Sequence, residues 1–185
     1  REDRDSLAAI GGTSDPAALD AYLRGRMLYE LSADEASERE ALAAFDRALA
    51  ADPGFAAAHA ARARSLTAIA NQYGNPTDNP TMYADAVIAA ERAIALAPEL
   101  AEAHSTLGFT RFQGQLDARG AREPFEQSQR LGAGEATVLA RFAQYAARCG
   151  RFEEAQQALD AALLRDPLNP LIHRAAGNIA YAGRR

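Results

Sequence analysis

The sequence has no Lys and no Trp, a single Cys and two Met among 185 residues. Without Lys, all 20 basic residues are Arg, so an exposed cation here is Arg whatever its task. One Cys excludes an internal disulfide framework and leaves the redox compartment open. No apolar run reaches the length that spans a bilayer, which argues against membrane insertion by this chain. A formal charge of −5 argues against a protein-wide field for nucleic acid or an anionic membrane surface. Val and Ile are scarce while Ala fills 46 positions, a balance that favours closely packed helices over sheets. Hydrophobic residues at 48% and charged residues at 24% give a globular composition rather than a disordered one. The chain opens at Arg1 with neither Met nor a signal-peptide pattern, and reads as a piece of a longer protein.

What is present is self-similarity. Ala41, Phe45, Ala48 and Pro53 set a frame at spacings of 0, 4, 7 and 12 residues. The frame returns at Ala86, Ala90, Ala93 and Pro98, at Ala121, Phe125, Ser128 and Ala133, and at Ala155, Leu159, Ala162 and Pro167. Successive steps are 45, 35 and 34 residues, so the first is a 34-residue period plus an 11-residue insertion. Positions 0, 4 and 7 share one face of a helix, and small side chains there admit a neighbouring helix closely. Each frame Pro stops its helix, because the residue before Pro resists the α region.

These registers resemble the tetratricopeptide repeat family. The stretch 136–169 carries the pattern best, with Gly150, Phe152, Ala155, Leu159, Ala162 and Pro167. The stretch 101–135 has Leu107, Gly108 and Phe125, with one extra residue near Leu116-Asp117. Gly25 fits the first repeat, Ala63 replaces Gly in the second, and Gly177 with Tyr181 opens a fifth. The resemblance implies an all-α, right-handed α-solenoid of stacked antiparallel helix hairpins. It divides the chain into a linker or extension at 1–15 and a repeat domain at 16–185. The repeats would cover about 18–55, 56–100, 101–135 and 136–169, with a partial fifth at 170–185. A narrower resemblance rests on Tyr22-Leu23-Arg24-Gly25-Arg26, the insertion before Tyr83-Ala84, and Leu116-Asp117-Ala118. It is to bacterial repeat regions that follow a winged-helix DNA-binding or nucleotide cyclase domain in regulatory proteins. On that resemblance the compartment stays open between the cytoplasm and the far side of a membrane anchor.

In the family, first helices line a concave groove that takes peptides. Carrying its groove positions over gives Tyr22, Arg26 and Tyr29, then Arg64, then Phe109 and Phe112. The fourth and fifth repeats add Arg141, Gln144 and Arg148, then Arg174 and Asn178. The full set of positions holds five Arg against two Glu, Glu30 and Glu102, although the chain is acidic overall. The resemblance therefore implies a non-catalytic module binding a protein or peptide of acidic or carboxylate character. The competing reading is that these Arg only solvate the surface and that Phe109 and Phe112 pack against the next repeat. A further alternative is a spacer or a self-associating homodimer, using Ile172, Ala176 and Ile179, left uncovered by the partial fifth repeat.

The remaining chemistry is thin. His59, His104 and His173 occupy equivalent first-helix places, which separates them along the solenoid and argues for half-buried structural rings. No metal and no cofactor is therefore expected. Cys149 stands at a helix C-terminus, where the dipole opposes a thiolate, and reads as a packing residue. Gly132-Ala133-Gly134 lacks the strand and the Lys of a phosphate loop. No catalytic constellation is present, and an enzyme is not expected. The insertion Asn71–Met82, with two Pro and a Gly, reads as a loop between the paired helices of the second repeat.

Overall fold

A computed structural model describes residues 11–31, 34–132 and 134–183. Among them every regular element is a helix: α1 (Pro16–Leu31), α2 (Glu35–Ala51), α3 (Ala56–Gln72), α4 (Asn79–Leu96), α5 (Ala101–Phe109), α6 (Arg122–Leu131), α7 (Ala136–Arg148), α8 (Phe152–Arg165) and α9 (Pro170–Ala182). A π-helical turn, Thr110–Gly114, prolongs α5. Consecutive helices pair as α1 with α2, α3 with α4, α5 with α6, and α7 with α8. Neighbouring pairs then stack, and α9 closes against α7 and α8, so the fold is an α-solenoid.

The repeat frame is the buried stripe of each second helix. Ala41, Phe45, Ala48, Ala86, Ala90, Ala93, Ala121, Phe125, Ser128, Ala155, Leu159 and Ala162 are all at most 4% exposed. Volume is balanced across each hairpin. Gly25 faces the Phe45 ring, and a Cβ there would lie 2.6 Å from it. Gly108 faces Phe125 in the same way, at 2.9 Å. Where the second helix offers only Ala90, the first can carry Ala63, and both sit in one core cluster. Small opposite large keeps the interior filled without strain.

Helix ends are set by short polar side chains. Asp15 Oδ1 accepts from the N–H groups of Ala17 and Ala18 at 2.8 and 2.9 Å, capping α1. Asp34 and Ser37 form a reciprocal box at the start of α2, and Asn169 Oδ1 accepts from Leu171 N–H at 3.0 Å before α9. The expected extension lies outside the described residues over 1–10. Its remainder is docked: Thr13 donates to Asp52, and the Gly11 carbonyl accepts from Ala57 N–H at 2.9 Å.

Two irregularities differ from expectation. The insertion is a shorter loop than its Pro residues imply, because Asn79–Met82 is helical. Pro80 lies in the first turn of α4, where its missing N–H has no partner to lose. Within Tyr73–Asp78, Asn75 Oδ1 accepts from the N–H groups of Thr77 and Asp78 at 2.9 and 3.0 Å. The extra residue of the third hairpin is taken up by the π turn, where Gln115 N–H reaches the Thr110 carbonyl at 3.2 Å. Leu116 follows with a positive φ of 55°.

His59 and His104 are half-buried, as expected of structural rings, and His173 is exposed. Each ring reaches back to the turn before it, Nε2 donating to a Pro carbonyl six residues earlier. The distances are 3.0 Å for His59 to Pro53, 2.8 Å for His104 to Pro98, and 2.7 Å for His173 to Pro167. A carbonyl only accepts, which fixes Nε2 as the protonated nitrogen. At the remaining junction the same spacing holds Leu139, which is buried, and Ala133, which lies outside the described residues.

Candidate functional site: a concave, Arg-lined cavity

First helices converge on a cavity of about 450 Å³. Tyr29 comes from α1, Arg64 from α3, Phe109 from α5, Arg141, Gln144 and Arg148 from α7, and Arg174 and Asn178 from α9. The structure thus brings together eight of the eleven groove residues expected from the sequence. Asn71, Gln72 and Gln113 also line it, with Thr137 and Leu171.

Three expected residues lie elsewhere. Tyr22 packs in the seam of the first hairpin, its ring 5.9 Å from that of Phe45 and 4.8 Å from that of Phe55. Burial, and then the charge of Glu102, push its hydroxyl above the usual phenol range. Arg26 is exposed and pairs with Glu30 at 3.4 Å, one turn along the same helix. Phe112 stands edge-on to Tyr145 at 5.2 Å, packing toward the next hairpin. The π turn precedes that contact, and a one-residue insertion is hard to place from spacing alone.

The cavity's cations are not equivalent. Arg64 Nη1 donates to Glu102 at 2.8 Å, and its guanidinium lies over the Tyr29 ring at 4.2 Å. Burial pulls its pKa down most strongly, but Glu102 and then Tyr29 more than offset this, so the net shift is upward. Arg141 shows the reverse balance. Burial, and then the neighbouring Arg64 charge, lower its pKa. Its contacts are one long hydrogen bond to Thr106 Oγ1 at 3.4 Å and the Phe109 ring at 5.8 Å. Among the described residues no carboxylate lies within 4.0 Å of Arg141, Arg148 or Arg174.

A chain of hydroxyls supports the site from behind. Thr67 and Thr110 are hydrogen-bonded at 2.7 Å across α3 and the π turn. Thr67 also meets the Ala63 carbonyl at 2.9 Å, and Thr110 the Thr106 carbonyl at 3.0 Å. These Thr are fully buried and tie the second hairpin to the third directly under Arg141's contact. Their pairing across hairpins carries no signal in local sequence.

Two other cavities lie outside this one. One of about 520 Å³ beside Tyr145 and Cys149 is lined by Arg119 and by two ion pairs, Arg122 with Glu126 at 2.8 Å and Arg151 with Glu154 at 2.6 Å. Cys149 is exposed there, at the turn just after α7, and is not the packing residue expected. The other, about 510 Å³, lies between the end of α7 and Tyr181 of α9. Ile172 and Ile179 are buried and Ala176 packs against the same cluster, so the apolar face proposed for dimerisation is already covered by α7 and α8. The described residues hold no group of three or more His, Cys, Asp or Glu placed to bind a metal ion. None of their helices is long and apolar enough to cross a membrane.

No protein-family model and no curated protein matches the sequence. Solved structures do. The chain is similar to TTC0263, a thermophilic tetratricopeptide-repeat protein of Thermus thermophilus, with a TM-score of 0.60 at 18% identity, covering 89% of this chain and 100% of that one. It is also similar to YrrB, a tetratricopeptide-repeat protein with an unusual peptide-binding site, with a TM-score of 0.50 at 20% identity, covering 91% of this chain and 79% of that one. At such identities the likeness is one of fold. That fold is the tetratricopeptide-repeat solenoid.

Proposed function

We propose that this chain is a non-catalytic protein-interaction module that receives a polypeptide segment of acidic character in its concave cavity. The observation that carries the reading is the convergence of Tyr29, Arg64, Phe109, Arg141 and Arg174, from five different helices, on one cavity. Aromatic and Arg side chains are the types that dominate binding energy at interfaces. That a protein of similar fold, YrrB, has a peptide-binding site supports a peptide as the ligand class. The module serves within a larger bacterial regulatory protein, beside a winged-helix or nucleotide cyclase domain. The resemblance at Tyr22–Arg26 and Leu116–Ala118 supports that setting.

The test is site-specific photocrosslinking. A photoreactive residue at Gln144, on the cavity wall, should trap a polypeptide partner from bacterial lysate. The same group at Asp160, exposed on α8, should trap none. Equal adducts from both positions would remove the groove reading. An adduct of twice the chain mass would move the function to self-association, for which Leu168 and Tyr181 are exposed.

A further inference from the structure

The residues just ahead of α1 are built into the solenoid. Gly11 stands where α3 begins, α4 ends and α5 begins. A Cβ there would lie 3.0 Å from the Cβ of Ala56, 3.2 Å from that of Ala97 and 3.3 Å from Leu100 Cδ2. Its φ of 74° also favours glycine, so neither the space nor the backbone admits a side chain cheaply. The N-cap residue of α3, Phe55, supplies no side-chain acceptor, and the Gly11 carbonyl takes the Ala57 N–H at 2.9 Å. Thr13 donates to Asp52 between α2 and α3, and its Oγ1 accepts from Asp15 N–H at 3.1 Å. Asp15 in turn caps α1. The first turn of α1 is thereby tied to the start of α3.

We infer that Gly11–Asp15 is a strap that sets one wall of the cavity from a distance, with α1 as the lever; its consequence for a ligand rests on the groove reading above. The lever pivots at Gly25, which meets the Phe45 ring too closely to leave room for a Cβ. Asp15 lies before that fulcrum and Tyr29 after it, about 15 Å and about 6 Å away along the helix axis. A displacement at the strap reaches Tyr29 in the opposite sense and at about two-fifths of its size. The Tyr29 ring lies under the Arg64 guanidinium at 4.2 Å and lines the cavity. Two hydrogen bonds, set against the ordering of a segment that begins Gly11-Gly12, leave the docked and released states close in free energy. Docked, the strap holds Tyr29 on Arg64; released, it loosens that pair. A pull on the chain ahead of Gly11 therefore weakens ligand capture without touching the cavity.

The test compares Gly11→Ala, which strains the left-handed backbone and crowds Ala56, with Ser14→Ala at an exposed position of the same strap. Amide hydrogen exchange follows the docking, and NMR signals of the Tyr29 ring and Arg64 Nε follow the lever. In Gly11→Ala the Ala57 amide should exchange about tenfold faster, and both cavity signals should move. Ser14→Ala should change neither. Unchanged Ala57 exchange in Gly11→Ala overturns the strap. Faster Ala57 exchange with the Tyr29 and Arg64 signals in place overturns the lever, and with it the inference. Equal acceleration of amides throughout α5–α9 also overturns it, because the strap would then be a general brace. The photoreactive group at Gln144 reports the consequence: Gly11→Ala should trap about threefold less partner than the parent. Equal trapping overturns the inference. A parent that traps nothing removes the groove reading instead, and the strap is then decided by the Tyr29 and Arg64 signals alone.

Discussion

At three hairpin junctions a His ring meets a Pro carbonyl six residues before it, at 2.7–3.0 Å. In the concave cavity Arg141 has five donors and one hydrogen bond, at 3.4 Å, beside the Phe109 ring at 5.8 Å. Both are polar groups set among Ala-rich helices, yet one kind is matched within the chain and the other is left open. Groups that hold the solenoid together come with their partners at a fixed sequence spacing. A half-buried cation on the cavity wall, with little of its donor capacity used inside the chain, adds little to the fold. Substitutions in the seams should therefore lower stability, whereas neutralising Arg141 should not.

The largest effect is expected in the core of the third seam. Phe125→Ala removes the ring that fills the space at Gly108 and stacks on Tyr145 at 4.6 Å. It should cost about 3–5 kcal/mol in chemical denaturation. A loss below about 1 kcal/mol would mean that the seam carries less of the stability than its burial implies.

The next contrast uses glycines at matching places. Gly108→Ala would put a Cβ 2.9 Å from the Phe125 ring, whereas nothing lies within 4 Å of the corresponding position at Gly177. Gly108→Ala should lower the melting temperature despite the better helix propensity of Ala. Gly177→Ala should raise stability by about 0.5–1 kcal/mol. Two changes of one sign would show that the seam packs more loosely than the ring contact indicates.

The smallest effect is in pH dependence. Burial, the leading cause, holds the His59 ring below its ordinary pKa, against a weaker opposing pull from the Pro53 carbonyl. A depressed His pKa means that the unfolded chain takes up the proton first. The contribution of His59 is then complete above about pH 6.5 and is lost as pH falls through its folded value. Melting curves of the parent and of His59→Gln should converge as the pH drops below that range, the gap at neutral pH being about 0.5 kcal/mol. A gap that widens toward low pH would contradict this sign.

Much of the solenoid was legible because its constraint is periodic. Ala at spacings 0, 4 and 7, closed by Pro, is the direct trace of close helix packing, and those positions are the buried ones. The cavity was legible in part, through Arg64, Phe109, Arg141 and Arg174, since repeat register decides which helix face they occupy. Tyr22 and Phe112 escaped that logic, because a large ring at a groove position can turn into a neighbouring seam. The Arg64–Glu102 pair spans 38 residues and two hairpins, so nothing local announces it. The burial of Ile172 and Ile179 was missed for a different reason: α7 and α8 together cover α9 without its hairpin partner.

The widened turn at Thr110–Gly114 bears on how such a cavity changes over evolutionary time. Deleting one residue there would restore an ordinary α-helix and rotate everything after it by about 100° about the axis. Phe112 and the path to Leu116 would be re-aimed at once, with no point substitution in the cavity itself. The third hairpin therefore stands one codon away from a differently shaped groove, so relatives of this chain can diverge in ligand preference by a change of length while every lining residue stays the same.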